Sequence, residues 1–213
     1  MRQTVICFAL ILSGCISIPA TKNSPTPRFY TLPAQTSASF NEAGAKEIKM
    51  PSDTIIGVGP IKIPQNQDRP QIVTIGKDKT LKFSEFERWG EPLDLGFTRL
   101  ITENLTASAP QVKFAAYPWN SALSVKYEIG IEIVQLDSEL GGQMHLVAQW
   151  SIIDVQNAKT VVMKKSEFCQ PITPQDYFGL AKTLSTACAS LSSDIAGALA
   201  TLEVKEDVLV PKK

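Results

Sequence analysis

The chain is poor in the side chains that most enzymes use. It holds one histidine, His145, in 213 residues. That scarcity argues against a multi-histidine metal centre and against most histidine-based proton transfer. Its four cysteines form no CxxC pair, so a structural zinc site is not expected. No apolar run reaches the roughly 20 residues that a helix needs to span a bilayer. An excess of either charge is lacking too: 21 basic and 21 acidic residues give zero net charge. Balanced, unclustered charge argues against a nucleic-acid partner held through its phosphates. Gly57-Val58-Gly59 runs into Pro60 and does not complete GxGxxG, and neither a Walker loop nor a GxSxG elbow is present. The scattered acids suggest no glycosidase-like dyad. No catalytic residue, metal or dissociable cofactor is therefore expected.

What is present begins at the N-terminus. Arg2 precedes a short apolar run, Val5 to Leu12, and Leu12-Ser13-Gly14-Cys15 closes the segment. Residues 1–14 have the layout of a secretory leader. The last four residues of the segment, ending at Cys15, resemble the lipobox of bacterial lipoproteins. Small residues at Ser13 and Gly14 admit a peptidase, and the Cys15 thiol takes a diacylglycerol as a thioether. Cleavage then leaves Cys15 as the new N-terminus, able to carry a further acyl chain. Several chains hold a protein more firmly than the marginal binding of one. The alternative is an ordinary secretory signal with an incidental cysteine. In signals of the lipobox kind, Asp after the cysteine favours retention at the inner membrane. Residue 16 is Ile, so the resemblance implies the periplasmic face of the outer membrane. Residues 15–28 read as a lipidated tether, rich in Pro, Ser and Thr.

Residues 29–204 read as one periplasmic α+β domain, and 205–213 as a charged tail. Residues 34–53 read as a flexible loop, and Ile55 to Ile63 as the first clear strand, with Pro60 marking an edge or a bulge. Residues 72–75 and 80–83 flank a turn at Gly76-Lys77-Asp78-Lys79 and predict a hairpin. Period-two alternation over 125–133 and 144–152, then a strand over 160–168, predicts an antiparallel meander. Three-four spacing of Phe97, Leu100, Ile101 and Leu105 predicts a helix over about 93–107. A longer apolar stripe predicts a second over about 174–202, with Thr173 as its N-cap and Pro174 in its first turn. The expected architecture is a mainly antiparallel mixed sheet with both helices packed on it.

Two groups of residues invite a role. In an oxidising compartment, Cys169 and Cys188 are candidates for a disulfide. A helix folding back on the strand that ends at Cys169 leaves the two thiols about one bridgeable separation apart. The alternative is two buried thiols acting as small apolar residues. Arg88-Trp89 and Tyr117-Pro118-Trp119 set aromatics beside charge or proline at element boundaries, where interface anchors often sit. Packing of loops onto the core is the other reading of both.

The order of motifs resembles a known family. Phe29-Tyr30-Thr31-Leu32-Pro33 comes first, then Ile56-Gly57-Val58-Gly59-Pro60-Ile61 and Ile63-Pro64. Gln71-Ile72-Val73 and Arg88-Trp89-Gly90-Glu91-Pro92-Leu93 follow, ahead of the helix. Together they are similar to the ABC-type transport auxiliary lipoproteins, the paraquat-inducible protein C family, over about residues 29–202. The resemblance implies a non-enzymatic outer-membrane lipoprotein that works with an MCE-domain protein. The partner is anchored in the inner membrane and spans the periplasm, in a system thought to move lipid between membranes and support envelope integrity. It further implies a homo-oligomeric ring of the lipoprotein, docking the partner's far end. The matched motif adds Glu91 and Pro92 to Arg88 and Trp89 as interface candidates, serving either fold or docking. Two rivals stay open: an independent periplasmic carrier holding acyl chains between helix and sheet, and, as a poor third, a hydrolase.

Overall fold

A computed structural model describes residues 25–34, 48, 50, 51 and 53–208. The leader, Cys15 and most of the tether and of the 34–53 loop lie outside the described residues. Among the described residues eight strands are formed, β1 Arg28–Tyr30, β2 Ile55–Lys62, β3 Gln71–Ile75, β4 Leu81–Trp89, β5 Lys113–Ala116, β6 Tyr127–Ser138, β7 Gln143–Asp154 and β8 Lys159–Pro171. Helix α1 spans Leu93–Ser108 and helix α2 spans Tyr177–Val208, so α2 runs on into the segment read as a tail.

The α+β class is as expected, but the strands divide between two mixed sheets. One has the order β5-β2-β6-β7-β8, the other β1-β4-β3. The β6-β7-β8 meander is antiparallel, whereas β2 pairs in parallel with both β5 and β6. Alternation explains the large sheet. Ile56, Val58, Ile129, Ile131, Leu146, Trp150 and Ile152 turn one way and share one core with Phe97 and Leu100 of α1 and Leu184 and Leu191 of α2. Fully burying a side chain such as Phe97 contributes about 1.5–3 kcal/mol. The helices pack on each other, α1 also on β2 and β5, α2 on β7 and β8. A relay from the core to the surface ties the last three elements together: Trp150 Nε1 donates to buried Ser166 Oγ at 3.0 Å, and Ser166 Oγ donates to exposed Asp194 Oδ2 at 2.6 Å.

Several expectations are corrected. β2 lies inside its sheet, so Pro60 marks a bulge and not an edge; the ladder to β6 shifts register between Val58 and Ile61. β4 runs on to Trp89, because Arg88 pairs with Gln71 on one side and Phe29 on the other. Strand β5 was not anticipated. Its four residues carry no alternation of their own and are recruited by β2. Thr173 and Pro174 precede α2, and Asp176 takes the capping role, its Oδ1 accepting from the Gly179 N–H at 2.7 Å.

The Cys169–Cys188 disulfide is not made. Ser166 faces α2, and Cys169, three residues along the strand, points to the opposite side of the sheet. There it is exposed, its Sγ donating to Gln143 Oε1 at 2.8 Å, while Cys188 is buried in α2. Burial pushes the Cys188 thiol up, which keeps it protonated and inert.

Strand β1 is fastened by charge. Glu87 is buried, and Arg28 Nε donates to both its oxygens at 3.0 Å. Arg28 Nη2 donates to the same carboxylate, and Tyr30 Oη donates to it at 2.7 Å. The hydrogen bond from Arg28 holds the Glu87 carboxyl below the usual carboxylate range, against its burial. A depressed folded-state pKa stabilises the fold above the unfolded value and loses that contribution as the pH falls through the folded one. Acid titration watched by hydrogen exchange is expected to release the β1–β4 pairing first. In Glu87→Gln that step is expected to disappear from the titration.

Candidate partner interface

The interface candidates separate in the structure. Trp89 is buried in the core, its N–H donating to Pro70 O at 2.7 Å. Its Nε1 has no hydrogen-bond partner. Arg88 is half-buried on β4, with Nε 3.4 Å from Glu85 O. These two serve the small sheet.

Glu91 and Tyr117, in contrast, line one groove of about 620 Å³ between α1 and β5. Pro92 is exposed at the N-cap position of α1, next to it. Leu95 is 44% exposed on the helix side, and Tyr117 is 45% exposed on the strand side. The helix face opposite Tyr117 is built from Leu95, Thr98, Thr102 and Thr106, at the three-four spacing that shares a face. The spacing of Phe97, Leu100, Ile101 and Leu105 that marks this helix in the sequence gives these threonines no role. Their hydroxyls are already engaged. Thr98 Oγ1 donates to Asp94 O at 2.8 Å, Thr102 to Thr98 O at 2.7 Å and Thr106 to Thr102 O at 2.8 Å. With each hydroxyl folded back on the helix, the groove is lined largely by methyl groups. The polar rim is Arg99 between Glu91 and Glu103: its Nη2 donates to Glu91 Oε1 at 2.7 Å and to Leu32 O at 3.1 Å, and its Nη1 lies 3.4 Å from both Glu103 oxygens. The hydrogen bond to Glu91 raises the Arg99 pKa, so the guanidinium stays charged within this ion-paired rim. Glu91 thus fastens the chain after β1 to α1, a fold role and a groove role at once.

Ala116 and Tyr117 form the other wall, and Trp119 lies outside the groove. The Tyr117 and Trp119 rings meet edge to face at 5.4 Å and 84°. They sit on the two glycines of β2 that face away from the helices. A Cβ at Gly57 would lie 2.6 Å from Trp119 Cη2, and one at Gly59 would lie 2.7 Å from Tyr117 Cβ. Gly59 also has φ +109°, open to glycine and strained for other residues. The Gly57-Val58-Gly59 run is therefore an aromatic seat. Gly57→Val is expected to cost about 1–3 kcal/mol in urea unfolding by forcing Trp119 from its seat. Adding Trp119→Ala should recover most of that loss, a coupling that a double-mutant cycle reads directly.

β5 borders the groove and, among the described residues, is the edge strand of the large sheet, paired only with β2. A groove lined by threonine methyls, with an aromatic wall and a rim of paired charges, is suited to gripping a peptide segment.

The chain belongs to the ABC-type transport auxiliary lipoprotein component family, whose model matches residues 30–196. No curated protein matches it in sequence. Among solved structures, that of an uncharacterised protein is similar at TM-score 0.64 and 16% identity, covering 81% of this chain and 97% of its own. A protein of Xanthomonas campestris is similar at TM-score 0.63 and 11% identity, covering 84% of this chain and 99% of its own. At that identity the likeness shows a shared fold. A PelC dodecamer from Paraburkholderia phytofirmans aligns at TM-score 0.42 and 15% identity, over 80% of this chain and 92% of its own.

Proposed function

We propose that the protein is the outer-membrane-anchored docking component of an MCE-type lipid transport system. In this reading Cys15 carries the lipid, the tether gives reach, and the groove between α1 and β5 receives a segment of the periplasm-spanning MCE-domain protein. A ring of copies would present several such grooves to one partner. The observation that carries the docking role is the groove itself: threonine hydroxyls turned inward and exposed Leu95 and Tyr117 on facing walls. Apolar surface of this kind gains most when a partner covers it. Membership of a transport auxiliary family agrees with a binding role.

The rival carrier would hold acyl chains between helix and sheet. That layer is filled by Phe97, Leu100, Trp150 and Leu184, all buried. The test is to purify the full-length protein in mild detergent and identify what accompanies it by mass spectrometry. An MCE-domain protein, lost when the folded domain is deleted and the tether kept, supports docking. Bound phospholipid with no MCE-domain protein favours the carrier.

A further inference from the structure

The small sheet carries a second exposed surface, unrelated to the groove. Register places its residues. Phe29 pairs with Arg88, and Arg88 pairs with Gln71, so all three share a face. Gln71 and Val73 alternate onto that face, and Val73, itself buried, pairs with Phe83; a register shift between Gln71 and Val73 turns β4 over, bringing Phe83 to the same face as Arg88. Leu81, two residues before Phe83, joins it. The opposite face of the same strands carries Tyr30, Ile72, Glu87 and Trp89 toward the interior. The outer face thus gathers Phe29, 66% exposed, Phe83, 47%, and Leu81, 42%. Three large apolar side chains in the open on so small a sheet are unusual for a surface that meets only water.

Cations stand among them. The Arg69 guanidinium lies 4.5 Å from the Phe83 ring centroid, and Arg88 lies between Phe29 and Gln71 in the ladder. Lys77 and Lys79 are exposed in the β3–β4 turn. The acids nearby are Asp68, Asp78 and Glu85, with Asp78 engaged by Thr80 within the turn. Aromatic rings flanked by arginine and lysine suit the headgroup region of a bilayer, where the ring is half immersed and the cation meets phosphate. The position of this face relative to the anchor makes the assignment specific. The tether enters the fold at Arg28, one residue before Phe29. Even fully extended, the 13 residue steps from Cys15 to Arg28 span at most about 45 Å. The tether holds this face near the membrane at a high effective concentration, so weak intrinsic affinity suffices.

We propose that the outer face of the β1-β4-β3 sheet is a membrane-contact surface, seating Phe29, Leu81 and Phe83 in a phospholipid headgroup layer. This rests on the reading of Cys15 as the lipid anchor. It goes further in giving the domain a fixed orientation: small sheet on the bilayer, groove exposed to the periplasm.

The test uses the full-length protein in vesicles of phosphatidylethanolamine and phosphatidylglycerol with brominated acyl chains, which quench tryptophan on contact. Phe83→Trp and Phe29→Trp each place a reporter on the face, and Val155→Trp places one in the β7–β8 turn of the large sheet. After subtraction of the parent emission, about half or more of the added emission is expected to be quenched on the face, and about a tenth or less in the turn. Two face reporters guard against one variant misfolding. Equal quenching at face and turn, or none at the face, overturns the proposal. Intact mass of the same sample reports acylation. An acylated chain with an unquenched face overturns the contact surface alone, and a chain without acyl groups overturns the anchor reading and the proposal with it.

Discussion

Cys15→Ser is expected to abolish acylation, leave residues 1–14 uncleaved and reduce recovery in the outer-membrane fraction by about tenfold or more. The cause is chemical. In the proposed reading the thiol forms the thioether that holds the diacylglycerol, and a serine hydroxyl at neutral pH is a far weaker nucleophile than a thiolate. What remains is the short apolar leader run, Val5 to Leu12, below the length that spans a bilayer. The alternative, an ordinary secretory signal with an incidental cysteine, predicts the reverse: normal cleavage and unchanged fractionation. Intact mass and membrane fractionation separate the two. The folded domain is expected to be intact in either case, since among the described residues every strand and helix begins at Arg28 or beyond.

Leu95→Asp is expected to weaken capture of the MCE-domain partner by about 30-fold, the loss of roughly 2 kcal/mol that marks a central interface anchor. Leu95 projects from α1 into the groove and is not part of the core, so the fold should tolerate the change. The carboxylate would face threonine methyls whose hydroxyls already donate to α1 carbonyls and cannot turn to solvate it. Covering it with a partner would then strand a charge. Titration of the detergent-solubilised protein against the partner's soluble region gives the affinity, and circular dichroism checks that the variant is folded. An affinity unchanged by Leu95→Asp would move the docking site away from the α1–β5 groove.

The local parts of this fold were legible in the sequence and its long-range parts were not. The β6-β7-β8 meander shows because each strand alternates and each connection is short, so pattern and pairing are both local. Helix α1 shows because Phe97, Leu100, Ile101 and Leu105 repeat at helical spacing. The second sheet did not show. It depends on Phe29 pairing with Arg88 across a long separation, for which no neighbouring residue gives a sign. Strand β5 was hidden for the same reason. The disulfide failed on parity: spacing brings Cys169 near α2, but a one-residue change in parity sends its thiol to the other face of the sheet.

The candidate site divides in the same way. Tyr117 and Trp119 were visible as aromatics in a loop. Their seat on Gly57 and Gly59 needed the β2–β5 pairing to be known. Trp89 was singled out on composition, yet it belongs to the core, because its strand continues past the expected hairpin. The threonine face of α1 was the part least open to sequence reading. Threonine is polar in any composition count, and only the back-bonded hydroxyls reveal methyl surface.

The central claim is that the groove between α1 and β5 grips the periplasm-spanning partner. Site-specific photo-cross-linking in intact cells tests it most directly, with the reactive side chain placed at Leu95 in the groove and, separately, at Val134, exposed on β6. The account predicts a cross-link to an MCE-domain protein from position 95 and none from position 134. A cross-link from position 134 with none from position 95 would contradict it.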